Sequence, residues 1–366
     1  MKINILLPFK EKFDKQKASS VSITVSNNMR YSNYLDDIRV FGQQTENPIF
    51  QKNFFGFKYS VWSFKSKNNY LADQLSKYIL KNNKNRNLVE IHNRPYLVKR
   101  IKKKLKACPI SLFLHNNPKD MNGAKSTLER QELISDCAAI FCVSEFIRNQ
   151  FLDGLNGDFE NVFVLYNGVE RKLTRFPKKK KEVLYVGRIV PEKGVDLYVD
   201  TIKSIAPKFP DWSFNLIGSS KLGEIDKRGS YDLKISKKFR EIGTQANFLG
   251  FKNKKFVDGK MKSSAIMVIP SLWQEPFGLV AAEAMANGIA IIAANSGGIP
   301  EIIGNNGILI DDIDREKLKK VLTYLLSNQD KRIMYQKRSW KNFKFSSAYS
   351  SKRLDDFRRM IFQKYY

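Results

Sequence analysis

The sequence predicts an α/β protein built from two parallel-sheet domains, and three observations predict it. Short apolar runs of strand length recur along the chain, each followed by a stretch of helical length and period. The runs are continuous rather than alternating, as strands covered on both faces of a parallel sheet require. They fall into two series, separated by a charged segment without apolar periodicity. At 366 residues the chain is long enough for two domains of ordinary size.

The first series has runs at 3–7, 38–41, 88–91, 110–114, 138–143 and 162–165. The second has them at 183–186, 214–217, 247–249, 265–269, 289–293 and 308–310. Helix starts are signalled between them. Ser126 with Glu129 makes a capping box, Ser144 caps the next helix, and Gly288 ends the one that begins after Gly278. Residues 171–182 carry Pro177 and the lysines 178–181 and read as a linker. The predicted division is therefore 1–170, a linker at 171–182, 183–340, and a terminal segment 341–366. In that segment Leu354, Phe357 and Ile361 form an apolar stripe opposite Arg353, Arg358 and Arg359, so the helix is expected to pack back toward the first domain. Two Rossmann-like halves facing a central cleft, with a ligand at the strand C-termini, follow from this pattern.

Composition narrows the function classes. Lys+Arg number 64 against 36 Asp+Glu, a formal charge of +28. A basic surface attracts nucleic acid or anionic headgroups, but the chain is also rich in Lys, Asn and Ile, as an AT-biased coding sequence produces. No nucleic-acid motif or stacking-aromatic module accompanies the charge, so a nucleic-acid-binding protein is the remote alternative and no specific nucleic acid is expected. No apolar run nears the ~20 residues that span a bilayer. Residues 2–8 read as a first strand rather than a signal peptide. Cys108, Cys137 and Cys142 form neither a metal spacing nor a disulfide framework. A cytoplasmic protein is expected, free or peripheral on the inner face of the membrane. Residues 99–106 hold six cations over a stripe of Leu97, Val98, Ile101 and Leu105. That is either a surface helix docked on the sheet or a membrane-facing one.

The residues that carry chemistry cluster in the second half. Glu275 and Glu283 stand eight residues apart, around a Pro-Phe-Gly turn and the start of an Ala-rich helix. A helix N-terminus offers unpaired N–H groups and a positive dipole end, so carboxylates for hydroxyls lie beside a cradle for phosphate. Gly187 and Arg188 close a strand, and Lys193 opens the next helix. Two cations five residues apart at such a junction suit a diphosphate. The two histidines, His92 and His115, each follow an apolar strand and precede an Asn. Asp312 and Asp314 read D-x-D, but helix capping accounts for them better than a metal, and no metal is expected.

From Val186 to Gly194, then Glu275 to Gly278 and Glu283, the chain resembles the GT-B retaining glycosyltransferases of family 4, with their E-x7-E pattern. The likeness covers nearly the whole second half. The first half is looser: Tyr166 to Val169, Cys142 to Glu145, and His115 to Pro118 followed by Lys125 and Arg130, which is similar to bacterial lipopolysaccharide-type members. The resemblance implies roles. Arg188 and Lys193 neutralise the donor diphosphate, and Glu275 accepts from sugar hydroxyls. The backbone of Phe277, Gly278 and Leu279 touches sugar or phosphate, and Glu283 holds the ribose. Gly187 lets backbone approach the ligand, and Phe251 helps line the base pocket. His115 contacts the donor sugar. His92, Asn116 and Lys125 lie toward the acceptor. The family's Gly-rich loop after the first strand is here 17–21, without glycine. The implied activity is metal-independent hexosyl transfer with no cofactor beyond a UDP- or GDP-linked sugar as co-substrate. The implied acceptor is a cell-surface glycan, lipopolysaccharide core or lipid-linked oligosaccharide. A GT-B enzyme making a soluble glycoside is the nearer alternative.

Overall fold

Parallel strands need crossover helices, and the chain alternates the two from its start. The computed structural model describes residues 1–59, 64–82, 86–220 and 229–366. These form two units, 1–168 with 347–366, and 169–346. Among the described residues, unit 1 has strands β1 (Lys2–Leu6), β2 (Ile38–Gln43), β3 (Phe54–Phe57), β4 (Asn87–His92), β5 (Ile110–Leu114), β6 (Ala139–Cys142) and β7 (Val162–Val164). All pair in parallel, in the order β3-β2-β1-β4-β5-β6-β7. Helices α1 (Ser20–Arg30), α2 (Lys67–Lys81), α3 (Leu97–Lys104), α4 (Thr127–Asp136) and α5 (Glu145–Leu152) connect them.

Unit 2 repeats the plan with β8 (Lys180–Val186), β9 (Ser213–Ile217), β10 (Ala246–Gly250), β11 (Ser264–Ile269), β12 (Ala290–Ala294) and β13 (Ile308–Ile310), ordered β10-β9-β8-β11-β12-β13. Its helices are α6 (Val195–Ile205), α7 (Ser230–Arg240), α8 (Lys254–Ser263), α9 (Leu279–Ala286), α10 (Ile299–Ile303), α11 (Arg315–Ser327) and α12 (Gln329–Lys341). In α6, Val195, Tyr198, Val199, Ile202 and Ile205 are buried, the spacing of one helix face laid on a sheet. Each order reverses once, between β1 and β4 and between β8 and β11. At such a switch point neighbouring crossovers leave toward opposite faces and open a crevice at the strand C-termini.

The predicted capping holds. Ser126 and Glu129 form a reciprocal box on α4, Ser144 Oγ accepts from Ile147 N, and Gly288 follows α9 at φ 63°. Asp314 caps α11 by accepting from Lys317 N at 2.8 Å.

Two expectations need correction, and one left open is resolved. Residues 171–182 are not a free linker: Lys180 already begins β8. Arg171 stacks 3.4 Å above the Trp340 ring, and Lys179 Nζ donates to the carbonyls of Met261, Lys262 and Asn287. The Lys179 amine on helix-end carbonyls holds this stretch, and that leaves no apolar period to read. The second correction concerns the last helix, α13 (Ser347–Tyr365), which belongs to unit 1. Leu354, Ile361 and Phe362 enter its core, but Arg358 does not lie opposite them. It is 1% exposed and donates through Nε and Nη2 to both Glu90 oxygens at 2.8 and 2.9 Å, and to Asp355 at 3.0 Å. The open case is α3: its apolar stripe is buried in unit 1, and several of its cations pair with neighbours, while Lys103 and Lys106 are exposed. Arg100 and Lys104, with Lys65, bind Asp73 of α2, and Lys102 binds Asp136. Burial opposes the charge on Asp73, yet those three cations hold its carboxyl well below the usual range. The docked reading of α3 is the one the structure gives. Among the described residues no helix is long and apolar enough to cross a membrane.

Candidate functional site

The switch point of unit 2 gathers the charged residues. β8 and β11 are paired neighbours, so the loops after them leave the sheet edge side by side. Leu272 N and Trp273 N both donate to Glu192 O at 3.0 Å, tying one loop to the other. Gly194 makes the approach possible: its φ is 65°, and a Cβ there would sit 1.9 Å from Pro270 O. Across this contact Lys193 Nζ pairs with Glu275 Oε1, and Ser271 Oγ donates to the same oxygen at 2.9 Å. Both partners are mostly buried, 18% and 16% exposed. No bond from the described residues reaches Glu275 Oε2, which leaves one carboxylate oxygen open to a ligand.

The main chain of Glu275 is braced from the loop after β12. Gly298 N donates to Glu275 O at 2.7 Å, and a Cβ on Gly297, at φ 60°, would lie 2.3 Å from that oxygen. Phe277 is buried, its ring edge-on to Phe345 at 5.9 Å, so its main chain is what remains for a ligand. Gly278, at φ 95°, then caps α9, whose first turn begins at Leu279. Glu283 lies inside α9 and is held by Lys254 Nζ at 2.8 Å. Burial works against the charge of Lys254, but Glu283 and Asp258 outweigh it and raise its pKa. Arg188 follows Gly187, is about half exposed, and pairs loosely with Glu192 at 3.7 Å. Phe251 is half-buried at the end of β10, after Gly250 at φ 67°.

Unit 1 presents its own cluster at the ends of β4 and β5. His92 Nδ1 and His115 Nε2 are 2.8 Å apart. The rings are within 16° of parallel, and Phe113 stacks on His92 at 4.4 Å. His92 is 3% exposed, so it lies behind His115 rather than beside it at the surface. Burial, with His115 and Arg358 nearby, pushes the pKa of His92 far down, and burial lowers His115 to about 4. Both rings are neutral at pH 7. Asn116 and Lys125 are exposed and stand apart from this bond.

Several residues of these clusters escape sequence reasoning. Asn93, at φ 53°, accepts from His115 N at 2.7 Å. Its only signal is an Asn directly after a strand. Asp14 orders the loop after β1. It accepts from Gln16 N and Lys17 N at 2.8 and 3.1 Å and from the Thr45 hydroxyl. Burial opposes its charge, and those bonds still lower its pKa. Lys254 has no signal in so lysine-rich a chain, whereas Gly297 and Gly298 are at least a visible pair.

Comparison with known proteins fits this geometry. The family described as Glycosyl transferases group 1 matches residues 168–341, nearly all of unit 2. An uncharacterised glycosyltransferase of Methanocaldococcus jannaschii is 34% identical over 53% of this chain and 51% of its own length. Spore coat protein SA of Bacillus subtilis is 29% identical over 67% of this chain and 70% of its own. The lipopolysaccharide 1,2-N-acetylglucosaminetransferase of Salmonella typhimurium is 27% identical over 44% and 45%. The chain thus spans about half the length of the first and third of these relatives. Among solved structures, Anabaena HepE in complex with UDP superposes with TM-score 0.74 at 17% identity, over 98% of this chain and 100% of that one. Sucrose-phosphate synthase from Thermosynechococcus elongatus gives 0.76 at 16%, over 99% of both. The fold is GT-B, and residues 168–341 match the model of the group 1 glycosyl transferases.

Proposed function

We propose that this protein is a retaining family 4 glycosyltransferase that moves a sugar from a nucleoside diphosphate to a cell-surface glycan. The acceptor is a lipopolysaccharide core or a lipid-linked oligosaccharide. The observation that carries the reading is the Lys193–Glu275 pair at the switch point of unit 2, with one glutamate oxygen left over. A sugar joined to a diphosphate needs hydroxyl acceptors and positive charge within one ångström-scale site. Lys193 and Arg188 oppose the charge that grows on the departing diphosphate. Glu275 Oε2 accepts from a sugar hydroxyl, and the first turn of α9 offers N–H groups. Glu283 takes the ribose hydroxyls, in competition with Lys254.

The two cations meet the diphosphate without a divalent metal or other cofactor. Glu275 is already held by a lysine and a serine, which suits a positioning carboxylate better than a base. In retention the departing phosphate oxygen takes the acceptor's proton on the same face. The Salmonella relative's name supports a lipopolysaccharide acceptor, and the HepE complexes with UDP and with UDP and glucose support a UDP-linked donor, GDP being the other base considered. A lipid-linked acceptor would place the enzyme on the cytoplasmic membrane face, with the basic surface toward anionic headgroups. Calorimetric titration with UDP and GDP, with and without the sugar, tests the reading. Binding of neither nucleotide would refute it.

A further inference from the structure

We propose that His92 is a positioning residue that locks His115 as its Nδ1–H tautomer, so that His115 meets a ligand oxygen only as a hydrogen-bond donor. The inference deepens the proposed function and rests on it for the ligand, a sugar hydroxyl or phosphate oxygen. The tautomer itself follows from geometry alone.

The 2.8 Å contact between His92 Nδ1 and His115 Nε2 needs one proton between two rings. A neutral imidazole carries one N–H and one bare nitrogen, so there are two assignments. In the first, His92 donates from Nδ1, and its Nε2 is bare. In the second, His115 donates from Nε2, and His92 must carry its proton on Nε2. That Nε2 is buried and has no hydrogen-bond partner. An orphaned buried N–H is rarer and costlier than an under-used acceptor, so the first assignment wins. Protonating both nitrogens would add a cation to a buried ring that already faces the Arg358 charge.

With Nε2 of His115 occupied as an acceptor, its proton sits on Nδ1. Among the described residues Nδ1 makes no hydrogen bond. The His115 ring is stacked within 16° of His92 and bonded to it through Nε2, while Phe113 fixes the His92 ring at 4.4 Å and Asn93 Oδ1 holds the His115 main chain at 2.7 Å. His115 is therefore unsuited to act as a general base. It recognises a lone pair, and His92 decides that.

The chain has only two histidines, so imidazole 15N NMR reads both without ambiguity. At neutral pH the native protein should show both rings neutral and both in the Nδ1–H form. Finding His115 as Nε2–H, or either ring charged, overturns the proposal. In His92→Phe, His115 should move toward the Nε2–H form that free imidazole prefers. In His92→Asn, whose side-chain NH2 sits near the former Nδ1–H, it should return to Nδ1–H. His115 keeping its native signature in His92→Phe also overturns the proposal. Transfer should follow, with kcat about tenfold lower in the Phe variant and recovered in the Asn variant. Native tautomers as assigned in a protein that turns over no sugar nucleotide would uphold the lock and sink the functional reading instead.

Discussion

At the scale of single residues, the Lys193–Glu275 pair sets the clearest expectations. Glu275→Gln removes a charge from a half-open site without changing shape. Transfer should fall by about 100- to 1000-fold, the cost of losing one preorganised group at a reacting centre, while circular dichroism stays native. Undiminished turnover would remove Glu275 from the site. Lys193→Ala deletes a charge-assisted contact to phosphate and should weaken nucleoside diphosphate binding by about tenfold or more in calorimetry. The histidines give a pH dependence. His115 is held at about 4 in the folded chain, below its unfolded value of about 6.5. The unfolded chain then binds the extra proton first, so stability is full above pH 6.5 and falls between 6.5 and 4. Lowering the pH from 7 to 5 should cost unit 1 on the order of 2 kcal/mol through His115, with a further loss from His92. Urea unfolding at the two pH values measures it, and a flat profile would mean that His115 is solvated. Glu275, Arg188 and Lys193 could be singled out as candidates because each sits in a short motif after a strand, and Glu283 because it completes the E-x7-E spacing inside α9. Asn93 and Asp14 were not legible, since no motif marks the main-chain groups that each one holds.

Elements were legible wherever burial was two-sided. Both series of strands were visible as continuous runs, with one omission. β3 has no fully buried residue, and Gly56 interrupts its short Phe-Phe-Gly-Phe run, leaving less than the continuous apolar stretch that marks the other strands. α13 misled for a physical reason. Helical periodicity assigns every cation to the wet face, but Arg358 is neutralised by Glu90 and Asp355 and goes inside. A buried pair is weak evidence of net stability, yet breaking it strands a charge. Arg358→Met should therefore destabilise unit 1 by about 3–5 kcal/mol. Adding Glu90→Gln should recover part of that loss. Hydrogen exchange should show faster opening of α13 and β4 in the single variant. Native protection there would mean that Arg358 is dispensable to the packing of α13.

At the scale of the whole molecule, the donor is the open question, and the two-unit architecture offers a direct way to read it. Three of the four tryptophans, Trp212, Trp273 and Trp340, lie in unit 2, so intrinsic fluorescence during heating follows mainly the unit that holds Lys193 and Glu275. A ligand that binds only the folded form at about 100 times its Kd adds ~2.7 kcal/mol. For a domain of this size each kcal/mol raises Tm by roughly 2–4 °C. A cognate sugar nucleotide should thus lift the fluorescence transition by roughly 5–10 °C. The proposed function expects a UDP- or GDP-sugar to be the one that does so, with ADP- and TDP-sugars near zero. Glu275→Ala should then shrink the shift to that of the bare nucleotide, because the cations still hold the diphosphate while the sugar has lost its acceptor. If the variant keeps the full shift, Glu275 does not touch the sugar, and the charge pair at the switch point is a strut rather than a clamp.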